Sequence, residues 1–226
     1  MIKRKHDKKK THFLTTGLLL LLAFALWTLL IQIVDVRPAG ETATDVGFAT
    51  LNSRFHGLTG VHMTLYHITD WLGLVPVFVC LCFGVLGLCQ WIRRKSLWKV
   101  DGDILLLGVY YVLAIFLYLA FEMIPINYRP ILIAGFTEAS YPSSTTLLVL
   151  MVMPTLVFQI NRRGKNHRVK KATAALTMAF SACMVLGRTV AGVHWLTDIL
   201  GSILLSGGMF HLYRAMVLKF DRQEAP

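Results

Sequence analysis

The sequence predicts an all-α membrane protein: a bundle of six transmembrane helices with both termini cytoplasmic. Three observations predict it. Hydrophobic residues make up 55% of the 226 and charged residues only 15%, where soluble domains carry about 25%; the mean hydropathy is +0.59. The apolar residues gather in six runs, at 13–34, 71–92, 104–124, 144–160, 172–192 and 196–218, most of them near the ~20 residues a helix needs to cross the hydrocarbon core. The Lys and Arg residues then sort to one side of those runs. This composition excludes a disordered chain, which is poor in apolar residues. Four cysteines, Cys80, Cys82, Cys89 and Cys183, are too few for a small disulfide scaffold. They lie inside apolar runs and read as small buried hydrophobes.

Residues 1–12 hold six Lys and Arg and form a basic cytoplasmic N-terminus. The run at 13–34 is longer than a signal-peptide core and lacks a small-residue cleavage site, so it reads as a retained span. Segment 35–70 is the longest outside stretch; its mixed apolar and polar residues suggest an interfacial amphipathic helix leading into the second span. The inside segments 93–103 and 161–171 hold four and six Lys and Arg, and the tail adds Arg214, Lys219 and Arg222. Only Arg37, Arg54, Arg129 and Arg188 fall outside, so 19 of 23 cations are cytoplasmic. The net charge of +11 is therefore a topology signal, with some contact to anionic lipid heads, and not a nucleic-acid footprint. The fourth run is short and contains Pro154. Gly201, Ser202, Ser206, Gly207 and Gly208 in the sixth are helix-packing positions. The whole chain, 1–226, reads as one membrane-embedded domain; short loops and small size point to a bacterial plasma membrane.

Polar residues at the ends of spans are expensive and mark function. Three clusters fall outside: EMIPINYRP, ending in Arg129 and Pro130; YPSSTT, with Pro142, Ser143, Ser144, Thr145 and Thr146; and GRTVAGVHWLTD, with Arg188, His194 and Asp198. His194 and Asp198 are four apart and would share one helical face. An Asp that accepts the Nδ1 hydrogen leaves Nε2 free as a nucleophile or base. Two arginine forks and a helix start with free amides suit phosphate oxygens. Together these groups describe phosphoryl transfer through a phosphohistidine. A metal site is not expected, because His56, His62 and His67 lack ligand spacing.

The order and spacing of the clusters resemble the type 2 phosphatidic acid phosphatase superfamily, which includes the vanadium haloperoxidases. Its pattern is K-x6-R-P, then P-S-G-H, then S-R-x5-H-x3-D. The chain offers E-x6-R-P from Glu122 to Pro130, P-S-S-T from Pro142 to Thr145, and G-R-x5-H-x3-D from Gly187 to Asp198. The resemblance implies a helical fold with its site at the outer membrane surface and metal- and cofactor-independent hydrolysis of a lipid phosphate. It implies His194 as nucleophile, Asp198 as its orienting partner, and Arg129, Arg188, Ser143 and the backbone around Ser144 as phosphate ligands.

The departures are specific. Glu122 replaces the family lysine, Thr145 the histidine that protonates the leaving group, Ser144 a glycine and Gly187 a serine. A general acid contributes about 10²–10⁴-fold. Its loss is severe for an alkoxide leaving group and mild for a phosphate, whose second pKa is about 6. Thr145 therefore favours a lipid diphosphate such as a polyprenyl (undecaprenyl) diphosphate over phosphatidic acid. The alternatives are a lipid phosphotransferase and a non-catalytic lipid-phosphate binder. Glu122 is an accessory site candidate expected to pair with Arg129 or Arg188, and Thr145 is expected to cap the fourth span and to join Ser143 and Ser144 around the phosphate. Membrane lipids are the other expected partners; the oligomeric state is not readable.

Overall fold

The computed structural model describes residues 2–223, with side chains from Asp7 to Asp221. Part of the basic segment 1–12 and Arg222 of the tail lie outside the described side chains. Helix α1 (Ile2–Ile33) leads to a hairpin of β1 (Arg37–Ala39) and β2 (Thr44–Val46). Helices α2 (Ala49–Thr59), α3 (Met63–Leu72) and α4 (Leu74–Arg94) follow. A short 3-10 turn at Leu97–Lys99 precedes α5 (Gly102–Met123), and α6 (Ser144–Arg163), α7 (His167–Val190) and α8 (Leu196–Gln223) complete the chain.

Among the described residues, five stretches are long and apolar enough to cross a membrane: Asp7–Ile33, Met63–Arg94, Gly102–Met123, Ser144–Arg163 and His167–Val190. They coincide with the first five apolar runs. The second begins earlier than the sequence suggests, because α3 continues into α4 through Gly73 with helical backbone. Helix α8 covers the sixth run but is not among the five. Its glycines, its buried Ser202 and Ser206 and His211 dilute its hydropathy. The same small residues let α1 approach closely: a Cβ on Gly208 would lie 2.7 Å from Leu21, and one on Gly17 2.9 Å from Leu212.

The outer segments correct two expectations. The fold is mostly helical but not all-α, because 37–46 form a two-stranded antiparallel ribbon. Its tip is anchored on the Arg129–Pro130 segment: Glu41 N donates to Pro130 O at 2.7 Å, and Leu132 N to the Glu41 carboxylate at 3.1 Å. Segment 35–70 also holds two helices where one was expected, broken at Gly60, which adopts φ +67°. There His62 N donates to Ala191 O at 3.0 Å, which docks the α2–α3 corner on the link between α7 and α8.

The core is apolar around Leu107, Leu147, Met151, Val152, Met184 and Val217. Its buried hydroxyls are paired: Tyr111 with Thr155 at 2.7 Å, and Tyr213 with Gln159 at 2.8 Å. At the Arg-rich end, an ion network ties α5, α6 and α8. Arg163 reaches Asp101 at 2.8 Å and Asp103 at 2.6 Å; Arg162 reaches Asp221 at 2.8 Å; Arg94 reaches Asp101 at 2.8 Å. Burial pushes the Asp101 carboxyl up, but hydrogen bonds from Arg163, Arg94 and Gln90 prevail and hold it at about 2. The polar clusters lie at the opposite ends of these helices.

Candidate active site

His194 does not lie on a helix. It occupies the link 191–195, before α8 begins at Leu196. The link turns sharply at Gly192, with φ +72°, where a Cβ would run into the Gly60 carbonyl. Asp198 sits in the first turn of α8, 0% exposed. Its Oδ2 accepts from the Trp195 amide at 2.8 Å and from the Ser140 hydroxyl at 2.7 Å. An acceptor three residues into a helix closing back on the amide at its start satisfies a donor the helix cannot, and its charge suits the helix N-terminus.

This arrangement corrects the expected His–Asp hydrogen bond. His194 Nδ1 is 3.7 Å from Asp198 Oδ2, beyond hydrogen-bond range. Its partner is the Ser140 carbonyl at 3.1 Å. A carbonyl only accepts, so Nδ1 carries the proton and Nε2 the lone pair. Asp198 therefore orients the imidazole at one remove, through Ser140 and Trp195. Burial, joined by the charges of Arg129 and Arg188, holds the His194 imidazole well below its ordinary range, against the opposing Ser140 hydrogen bond. That direction favours the neutral ring, with its lone pair on Nε2.

Ser140 and Arg129 arrive together on a ribbon between α5 and α6. Arg129 N donates to Glu138 O at 3.1 Å and Ser140 N to Asn127 O at 2.9 Å. Trp195 Nε1 donates to Tyr128 O at 2.7 Å and fastens the ribbon to the His194 link. Both arginines are buried, 6% exposed at Arg129 and 1% at Arg188. Arg188 Nη2 stands 3.4 Å from His194 Nε2. The Tyr66 ring lies 4.9 Å from the Arg188 guanidinium and 5.8 Å from that of Arg129. Among the described residues, Arg129 Nη1 and Arg188 Nε have no hydrogen-bond partner. Two desolvated guanidiniums with idle donors, beside an imidazole lone pair, are built to receive an anion.

The carboxylates facing the arginines differ from the expected one. Arg129 pairs with Glu138 at 3.1 Å, and Arg188 with Asp70 at 3.7 Å. Glu122 makes neither pair; it projects from the last turn of α5 into the same cavity. That cavity, about 620 Å³, is lined on its polar side by Tyr66, Asp70, Glu122, Arg129, Glu138, Ser144, Thr145 and Arg188. Its apolar side is Leu74 and Val77 of α4 and Ile115 and Leu119 of α5. Ser144 and Thr145 line the cavity and open α6, where first-turn amides have no intrahelical carbonyl to satisfy them. Thr145 makes no side-chain cap; its methyl packs where Gly73 leaves room, 3.3 Å from a Cβ built there. Ser143 is fully buried and its hydroxyl donates to Thr146 at 3.0 Å.

The substitution of Gly187 for a serine has a packing reason. A Cβ there would lie 2.8 Å from Thr69 of α3, whose hydroxyl accepts from Arg188 at 3.4 Å. His62 bonds the Thr59 carbonyl at 2.8 Å; neither it nor His67 lines the cavity. Tyr66, Asp70, Glu138 and Ser140 escaped sequence reasoning. Ser140 had a signal, its place just before the YPSSTT cluster; the other three had none. Among the described residues no three His, Cys, Asp or Glu side chains converge as a metal site.

A model of the PAP2 superfamily matches residues 105–222, just over half of the chain. None of the curated proteins matches. Among solved structures, the chain is similar to the first transmembrane PAP2 type phosphatidylglycerolphosphate phosphatase from Bacillus subtilis. The TM-score is 0.63 at 18% identity, covering 93% of this chain and 98% of that one, a likeness of fold.

Proposed function

The chain belongs to the PAP2 superfamily, and from that premise we propose that it is a lipid phosphatase of a bacterial plasma membrane acting on a polyprenyl diphosphate. The observation that carries the reading is the cavity: two buried arginines at one end, one of them with its Nη2 3.4 Å from His194 Nε2, and an apolar wall at the other. In this reading α8 is the sixth span, both termini are cytoplasmic, and the cavity opens at the outer leaflet. The positive-inside bias supports that sidedness.

The tail enters between α4 and α5, past Leu74, Val77, Ile115 and Leu119. The terminal phosphate displaces Glu138 and Asp70 from Arg129 and Arg188 and takes up the amides of Ser144 and Thr145. Nε2 of His194 attacks the terminal phosphorus in line, and the P–O bond to the inner phosphate breaks. The leaving group is a lipid monophosphate, which needs no proton, so Thr145 in place of a histidine is no obstacle. Both guanidiniums gain strength as charge builds on the equatorial oxygens. The phosphohistidine carries its positive charge near Asp198, whose Oδ2 is 3.7 Å from Nδ1. Water then attacks phosphorus, inorganic phosphate leaves, and the neutral ring returns.

The test is phosphate release from a polyprenyl diphosphate in detergent, beside phosphatidic acid and beside His194→Ala. Release that vanishes in His194→Ala while the variant stays folded is the expected result. Faster release from phosphatidic acid would sink the diphosphate preference, and full activity in His194→Ala would sink the mechanism.

A further inference from the structure

A second polar feature lies at the Arg-rich end, away from the site just described. A groove of about 840 Å³ runs between α6, α7 and α8. Its wall is apolar, with Pro154, Met178, Leu186 and Ile203 along it, and its polar end holds Asn161 and Arg214. Along α8, Ile203 and Arg214 are separated by about 16 Å of helix rise. That is about half the ~30 Å hydrocarbon thickness, the depth of one leaflet.

Arg214 differs from its neighbours. Arg94, Arg162 and Arg163 each meet an aspartate, as described above. The half-buried Arg214 meets none among the described residues. Its guanidinium lies 3.9 Å from the Phe13 ring, 5.6 Å from Phe158 and 5.7 Å from Phe210. Its Nε is buried with no hydrogen-bond partner. Aromatic faces favour a cation, but they do not supply the strong acceptors that five guanidinium hydrogens require. Lys170 donates to the carbonyl of Asn161, a lining residue of the groove, at 2.7 Å and adds a second positive charge near that end. A half-buried cation with a buried, unpaired Nε and no counter-charge among the described residues, at the foot of an apolar channel one leaflet deep, suits an anion that carries an acyl chain.

We propose that this groove holds one anionic phospholipid of the cytoplasmic leaflet, its acyl chain along α6, α7 and α8 and its phosphate on Arg214. The site is separate from the catalytic cavity and does not depend on the substrate assigned there. The phosphate oxygens accept from the guanidinium, and the headgroup faces the cytoplasmic surface near Lys170.

Native mass spectrometry of the detergent-purified full chain tests it, with phosphatidylglycerol against diacylglycerol of the same chains. Wild type is expected to retain phosphatidylglycerol about tenfold more tightly, the size of one charge-assisted hydrogen-bonded pair. Arg214→Gln is expected to remove that preference with phosphate release unchanged. Arg188→Gln, at the outer cavity, is expected to keep it. Ser181→Trp, which fills the groove, is expected to displace the lipid. No preference in wild type, its survival in Arg214→Gln, or its loss in Arg188→Gln would overturn the proposal. Should Arg214→Gln not fold, Ser181→Trp decides: loss of the bound lipid supports the groove and retention refutes it.

Discussion

Replacing Asp198 with alanine separates two accounts of how His194 is oriented. The spacing H-x3-D suggests a direct contact, whereas the structure puts the Ser140 carbonyl on Nδ1 and uses Asp198 to hold Ser140 and Trp195. Alanine at 198 strands the Trp195 amide, bonded at 2.8 Å, and the Ser140 hydroxyl, bonded at 2.7 Å. Each stranded buried donor costs ~1–3 kcal/mol, so the pair costs about 2–6 kcal/mol, a large share of a typical ~5–15 kcal/mol. Ser140→Ala removes only the hydroxyl bond and keeps the carbonyl 3.1 Å from Nδ1; its expected loss is about 1 kcal/mol, with turnover largely kept. The assay is thermal unfolding in detergent, followed by Trp fluorescence, run beside phosphate release for each variant. Asp198→Ala should lose stability and turnover together. An Asp198→Ala protein with wild-type stability and no turnover would refute this reasoning and restore the direct His–Asp contact.

Other outcomes follow from the same geometry. His194 titrates below its ordinary 6.5, so kcat/KM should stay high as pH falls through 6.5 and drop only at more acid pH; a midpoint at or above 6.5 in the free enzyme would contradict it. Between the lower folded pKa and 6.5 the unfolded chain binds the proton and the native chain does not. Stability is therefore fully present above 6.5 and lost as pH falls below it, and His194→Ala should flatten that slope in pH-dependent unfolding. In the proposed reading, Glu138 and Asp70 compete with substrate phosphate for the arginines they pair with. Both are well exposed, 40% and 56%, and exposed pairs are worth ~0.2–1 kcal/mol, so Glu138→Gln and Asp70→Asn should each lower KM by no more than about fivefold with kcat unchanged; a raised KM would make them substrate ligands. Gly201→Ala drives a Cβ into the ring of Tyr141, which is 1% exposed, and should cost about 1–3 kcal/mol by overpacking, read as a lowered melting temperature.

Helix location was legible because hydropathy is a sum over neighbours in the chain. The first five runs coincide with membrane-length helices, and Arg188, His194 and Asp198 fall together at the α7–α8 link as their spacing suggested. The sixth run was legible as a helix, but its membrane character is blurred by the glycines and serines that α1 packs against. The hairpin at 37–46 escaped because its stability comes from Pro130, some 90 residues away in sequence, and not from its own pattern.

What the sequence determined by itself is local: where the apolar helices lie, which ends carry cations, and which His, Arg and Asp stand in family order. What the tertiary structure decided is partnership. Ser140, not Asp198, holds His194, because the link at Gly192 swings the imidazole off the helix and toward the ribbon from 127 to 140. Glu138 and Asp70, not Glu122, meet the arginines, because that ribbon and α3 fold over the cavity while Glu122 projects into it from the end of α5. Hydrogen bonds and ion pairs act over about 3 Å and ignore chain distance, so spacing alone names the participants and packing assigns the pairs.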